Sequence, residues 1–199
     1  MSTARERALK RFGLVAAGAL VALGLGGCVT ETPAAAGGSY VSVDGTVTEF
    51  AVDQRGEPID FGGTLDTGEQ FDSTNSRGQV LVVNFWYAAC PPCRLEAPWL
   101  QALSEEFASQ GVEFVGINVR DGTSVSLAFA GAFSVTYPSI IDTDGGAALA
   151  FTGVASPNAV PTTLVLDRSG RVASRIIGLL DEGVLRTLIE SAVQEPSEP

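Results

Sequence analysis

The sequence predicts an α/β domain in which a mixed β-sheet is flanked by helices, and three features of its patterning carry that expectation. Two near-continuous apolar runs, 80 to 87 and 112 to 119, read as strands buried on both faces. The first is followed at once by a stretch of helical period, the pattern of a strand, a crossover helix and a parallel strand. Toward the end, Arg168-Ser169-Gly170 separates two further apolar runs, and a connection that short requires an antiparallel pair.

Taken in order, the 199 residues open on a basic segment, Arg5, Arg7, Lys10 and Arg11 with Glu6 alone opposing them, followed by "FGLVAAGALVALGLGG" at 12 to 27. That run is short for a membrane-spanning helix, which needs roughly 17 to 25 residues, so residues 1 to 27 read as a signal peptide. Its ending, Leu25-Gly26-Gly27-Cys28, resembles a bacterial lipobox, which implies lipidation of Cys28. The alternative is an uncleaved apolar anchor with an incidental cysteine. Residues 28 to 57 read as a tether and an N-terminal arm. Within the arm, residues 40 to 52 alternate partially around Asp44-Gly45, as an added β-hairpin or as an irregular arm lying on the domain. The fold expected from residue 58 to residue 193 then carries the hairpin as an N-terminal extension.

The domain should begin with a hairpin turning at Asp66-Thr67-Gly68. The strand 80 to 87 delivers the chain to Cys90-Pro91-Pro92-Cys93, and Leu95, Trp99, Leu100, Leu103 and Phe107 continue at helical spacing to a stop at Gln110-Gly111. Pro98 inside that helix removes one hydrogen bond and predicts a bend. The strand 112 to 119, a helix over 125 to 133, a short extended piece at 137 to 142 and a short helical segment to Phe151 follow. Strands at 160 to 167 and 172 to 178 precede a final helix whose apolar face is Val184, Leu185, Leu188, Ile189 and Val193. Residues 194 to 199 read as a solvated tail.

Composition narrows the chemistry. Twelve basic residues stand against 23 acidic ones, for a formal net charge of −11, and the segment after Cys28 contains no lysine. Nucleic acid is therefore not an expected partner. There is no histidine, which removes Ser-His and Cys-His catalytic pairs and imidazole-ligated metals. Three cysteines, Cys28, Cys90 and Cys93, are too few for a disulfide scaffold. With Cys28 set aside, two thiols cannot complete a four-ligand zinc site, so no metal is expected.

What remains is a pair of thiols where a strand hands over to a helix N-terminus. Unpaired N–H groups and the positive end of the helix dipole stabilise a thiolate there. The expected chemistry is thiol–disulfide exchange, with Cys90 as an exposed nucleophile and Cys93, one turn on, as the buried resolving thiol. Pro92 removes an N–H that the first helical turn does not need. Arg94 either lowers the Cys90 pKa or is simply solvated.

These residues resemble the thioredoxin superfamily, and within it the membrane-tethered, extracytoplasmic thiol-disulfide oxidoreductases of the TlpA/ResA type, related to the cytochrome c maturation thioredoxins. The resemblance rests on Asn84-Phe85-Trp86, Cys90-Pro91-Pro92-Cys93-Arg94, Glu96, Pro98 and Val160-Pro161-Thr162-Thr163, and covers roughly residues 58 to 193. It implies a thioredoxin-like fold, a redox-active Cys90-Cys93 disulfide with no other cofactor, and a cis-proline loop at Pro161. Through Val160 that loop would pair with an incoming peptide, with Trp86, Pro91 and Pro92 completing the substrate surface. It also implies protein thiol or disulfide substrates, a membrane-embedded electron donor or acceptor, and a place on the extracytoplasmic face of the cell membrane, held by the lipid on Cys28. Ala89 departs from the tryptophan often found before the first cysteine, leaving the rim less aromatic. Asn84 stands where thioredoxin carries a buried aspartate, so proton handling passes to Glu96, three residues beyond Cys93; a raised pKa would suit it to a relay.

Other readings make different predictions. Peroxidases on this fold resemble a Thr-x-x-Cys site, and copper chaperones add a histidine to the cysteine pair. A purely structural disulfide is disfavoured at a helix start, and a tethered binding module would leave Cys90 and Cys93 dispensable.

Overall fold

A computed structural model describes residues 39 to 156 and 159 to 196. The signal-peptide and lipidation expectations, Cys28 included, lie outside the described residues. The central sheet has seven strands in the order β1-β2-β9-β8-β5-β6-β7. They are β1 (Tyr40–Val41), β2 (Val47–Glu49), β5 (Val80–Trp86), β6 (Val112–Asn118), β7 (Ser139–Ile141), β8 (Thr162–Leu166) and β9 (Val172–Ile177). β3 (Gly62–Thr64) and β4 (Gln70–Asp72) form a separate hairpin. The helices are α1 (Pro91–Phe107), α2 (Thr123–Phe133), α3 (Gly146–Leu149) and α4 (Glu182–Gln194).

β5 is the axis. All seven of its residues are buried, because β6 pairs with it in parallel on one side and β8 antiparallel on the other. Its side chains alternate between two cores, as a period of two requires. Leu81, Val83 and Phe85 join Phe61, Phe151, Ile117 and Leu164 on one face. Val80 and Val82 meet Leu100, Leu103 and Phe107 of α1 and Leu185, Leu188 and Ile189 of α4 on the other. β8 and β9 are antiparallel across the short turn, and the sheet is mixed as expected.

The arm resolves to the hairpin reading. β1 and β2 pair antiparallel, and β2 continues onto β9, so the arm extends the sheet. Asp44 braces the turn by accepting from Ser42 Oγ, Thr46 N and Thr46 Oγ1, and these hydrogen bonds lower its pKa to about 2.

Two expectations are corrected. Leu95 and Val184, which helical spacing counts among the apolar positions of their helices, are exposed, Leu95 by 59%. The tail's first residues are not merely solvated: α4 runs through Gln194, and Glu195 forms a two-pronged ion pair with Arg55. Pro98 lies inside α1, where it withholds a donor from the Arg94 carbonyl, and the helix runs on to Phe107.

Candidate active site

Cys90 is the N-cap of α1, with Pro91 and Pro92 as the first two helical residues. Neither proline has an N–H, so the first donor the helix offers is that of Cys93, and it points at Cys90 Sγ at 3.2 Å. Cys90 and Cys93 form a disulfide with Cα atoms 5.3 Å apart. The expectation of an exposed Cys90 is corrected in this oxidised form. It is only 1% exposed, because its sulfur is bonded to Cys93 and both sit in a cluster with Trp86, Ala97 and Phe129, edged by Tyr87, Ala88 and Val160.

The peptide bond between Val160 and Pro161 is cis. Val160 packs against the cysteine cluster half-buried, Pro161 is buried, and the Pro161 carbonyl accepts from Gly178 N–H at 2.8 Å. Pro91 is exposed and Pro92 half-buried, so both stand at the rim. Trp86 does not. It is 6% exposed and forms the floor of the site, its indole N–H donating to Ser139 Oγ at 3.1 Å and its ring tilted on Phe129. Placing Trp86 on the substrate surface is therefore a correction: as the last residue of β5 it points into the helical layer under the cysteines. Gly116 on β6 makes that floor possible, since a Cβ there would sit 2.2 Å from Ser139 Oγ and 2.7 Å from the indole nitrogen.

Glu96 is 1% exposed and occupies the Cys93 face of α1, one turn on. One oxygen accepts from Asn84 Nδ2 at 2.9 Å, and the other from Leu180 N at 3.4 Å. The same Asn84 amide also donates to Thr163 Oγ1, tying the acid to β5 and β8. No cation faces Glu96 among the described residues, and burial pushes its pKa up to about 7 against the pull of those two hydrogen bonds. A small cavity behind Cys93 is lined by Asn84, Trp86, Ala97, Tyr137 and Ser139. Burial, with the Glu96 carboxylate adding to it, holds the Tyr137 phenol well above its usual range.

Sequence reading missed the loop after β6. Asp121 accepts from Ala88 N at 2.6 Å and from the Asn118 amide, so it pins the turn that leads into Cys90. Arg120 stacks over the Tyr87 ring at 4.0 Å. The available signal was positional: the loop leaves the carboxyl end of the strand parallel to β5, where sites of open α/β sheets gather.

A cysteine pair capping a helix, a cis-proline loop against it and a buried acid one turn on define a thiol-disulfide oxidoreductase of the thioredoxin fold. The comparisons agree with that class. The chain belongs to the AhpC/TSA family, whose model matches residues 55–175. It is 30% identical over 118 residues to the thiol-disulfide oxidoreductase ResA of Bacillus subtilis, a match spanning 59% of this chain and 64% of that one. Over 138 residues it is 30% identical to the thiol:disulfide interchange protein DsbE of Pseudomonas aeruginosa, covering 69% and 72% of the two chains. A secreted thiol-disulfide isomerase from Corynebacterium glutamicum superposes with a TM-score of 0.71 at 30% identity, over 78% of this chain and 97% of that one.

Proposed function

We propose that the protein is an extracytoplasmic reductant of protein disulfides, tethered to the membrane through a lipid on Cys28 and recharged by a membrane-embedded electron donor. It needs no cofactor beyond its dithiol. The observation that carries the reading is the Cys90–Cys93 pair beside Glu96, a buried acid able to hold or release a proton near neutrality. The basic and apolar segment ahead of Cys28 supports the location, as does likeness to a protein described as secreted. The resemblance of the site residues to the cytochrome c maturation thioredoxins supports that process as the setting, with apocytochrome thiols as the product, and likeness to the oxidoreductases ResA and DsbE supports the exchange chemistry.

In the reducing direction the Cys90 thiolate, stabilised by the Cys93 N–H and the helix N-terminus, attacks one sulfur of the substrate disulfide and expels the other as a thiolate. Cys93 then loses its proton to Glu96 and attacks Cys90. The second substrate sulfur leaves as a thiolate that takes its proton from water, and the Cys90–Cys93 disulfide closes. Two electrons have moved to the substrate, and the donor must return two to repeat the cycle. A group with a pKa near 7 suits that transfer at neutral pH.

Two experiments test this. Cys90→Ser should abolish reduction of insulin disulfides, whereas Cys93→Ser should accumulate mixed disulfides through Cys90; cellular function retained in the double variant would instead favour a binding module. The potential of the pair decides direction. A value near about −120 mV would overturn the reductant reading in favour of oxidative folding of secreted proteins.

A further inference from the structure

Resting on the exchange reading above, we infer that the partner polypeptide presents acidic side chains next to its reactive cysteine, and that Arg94 and Arg120 recognise them. The described chain is strongly acidic, and its cations are few and mostly committed. Arg55, Arg77, Arg171 and Arg186 each pair with a carboxylate. Arg168 and Arg175 are half-buried and donate to main-chain carbonyls. Among the described residues only Arg94 and Arg120 are exposed, and neither has a carboxylate partner.

Both are attached to the same two residues, the Tyr87-Ala88 segment that leads into Cys90. Arg94 donates from Nη1 to the Ala88 carbonyl at 3.2 Å and lies over the Phe133 ring at 5.0 Å. Arg120 lies over Tyr87. Asp121, the acid next to Arg120, spends Oδ2 on the Ala88 N–H and the Asn118 amide, and Glu96 is buried. Stacking on aromatic rings holds each guanidinium in place while leaving its edge open to a planar, two-pronged carboxylate contact. A described surface that is acidic elsewhere and carries its exposed cations only on the segment leading into Cys90 repels acidic chains except in the one pose that brings a cysteine to Cys90.

The test is the rate at which the reduced, lipid-free domain with its N-terminal arm cleaves symmetric disulfides of short peptides that differ only in the residues flanking cysteine: glutamate, glutamine or lysine. At about 0.15 M salt, where screening over roughly 8 Å leaves only local charges in play, the glutamate peptide should react about threefold to tenfold faster than the lysine peptide. Arg94→Gln with Arg120→Gln should collapse that ratio to near one, and Arg94→Lys with Arg120→Lys should retain most of it. Because each ratio is taken within one variant, a general change in Cys90 reactivity divides out. Equal rates in the unaltered protein, faster lysine peptides, or a ratio surviving the glutamine variant would overturn the inference while leaving the exchange reading intact. Failure to cleave even the glutamine peptide would sink both.

Discussion

Glu96 and Asp167 are both buried carboxylates, yet the fold shifts their pKa values in opposite directions. Asp167, just beyond β8, loses solvation on burial. Main-chain N–H groups of Ser169 and Arg171 and the guanidinium groups of Arg55 at 2.9 Å and Arg171 at 3.0 Å outweigh that loss and lower its pKa. Glu96 has only an amide and one long main-chain contact, with no cation, so burial wins and its pKa rises to about 7. Identical chemistry gives a fixed anion joining arm, sheet and C-terminal residues in one place and, in the other, a carboxyl one turn from Cys93 that the function proposed above uses as a proton store.

The largest effect should come from stripping a cation from Asp167. Arg55→Ala leaves Asp167 and Glu195 without that partner, and chemical denaturation should show a loss of about 3–5 kcal/mol, as for other broken buried pairs. Exchange activity of the folded fraction should not change. Adding the reverse case, Glu96→Gln keeps an acceptor for Asn84 but removes the proton store. Turnover at pH 7 should fall roughly 100-fold, the lower end for loss of a general acid or base, and the inflection near pH 7 should vanish from the rate profile.

Stability should follow pH with opposite slopes in two windows. The native Glu96 holds a proton that the unfolded chain has released between about pH 4.5 and pH 7, so stability falls as pH rises across that span, by roughly 3 kcal/mol at most. Glu96→Gln should flatten that slope in urea melts of the oxidised protein. Asp167 works the other way: its contribution is present above the unfolded carboxylate pKa and is lost as acid titrates the folded form. A smaller effect, about 1–3 kcal/mol, is expected from Gly116→Ala, which crowds the Trp86–Ser139 hydrogen bond and should also perturb tryptophan fluorescence.

The two acids also differ in how far they could be read from sequence. Glu96 was visible because helical spacing from Cys93 is local, as were the apolar run of β5, the cysteine pair at a helix start and the turn at Arg168-Ser169-Gly170. The partners of Asp167 were not, since Arg55 lies 112 residues before it and Glu195 pairs with Arg55 across 140. Periodicity also cannot say where an apolar stripe outruns its neighbour, as at exposed Leu95, or whether a strand-end aromatic such as Trp86 faces substrate or floor. The Arg120-Asp121 loop carries no motif; only the parallel pairing of β6 with β5 brings it to the cysteines.

Carbon-13 NMR of the side-chain carboxyl groups across pH, in the oxidised protein, tests the contrast most directly. Glu96 should titrate with a midpoint near 7 while Asp167 titrates below the ordinary aspartate value. A Glu96 midpoint near 4.5 would remove the proton store from beneath the disulfide and contradict the account.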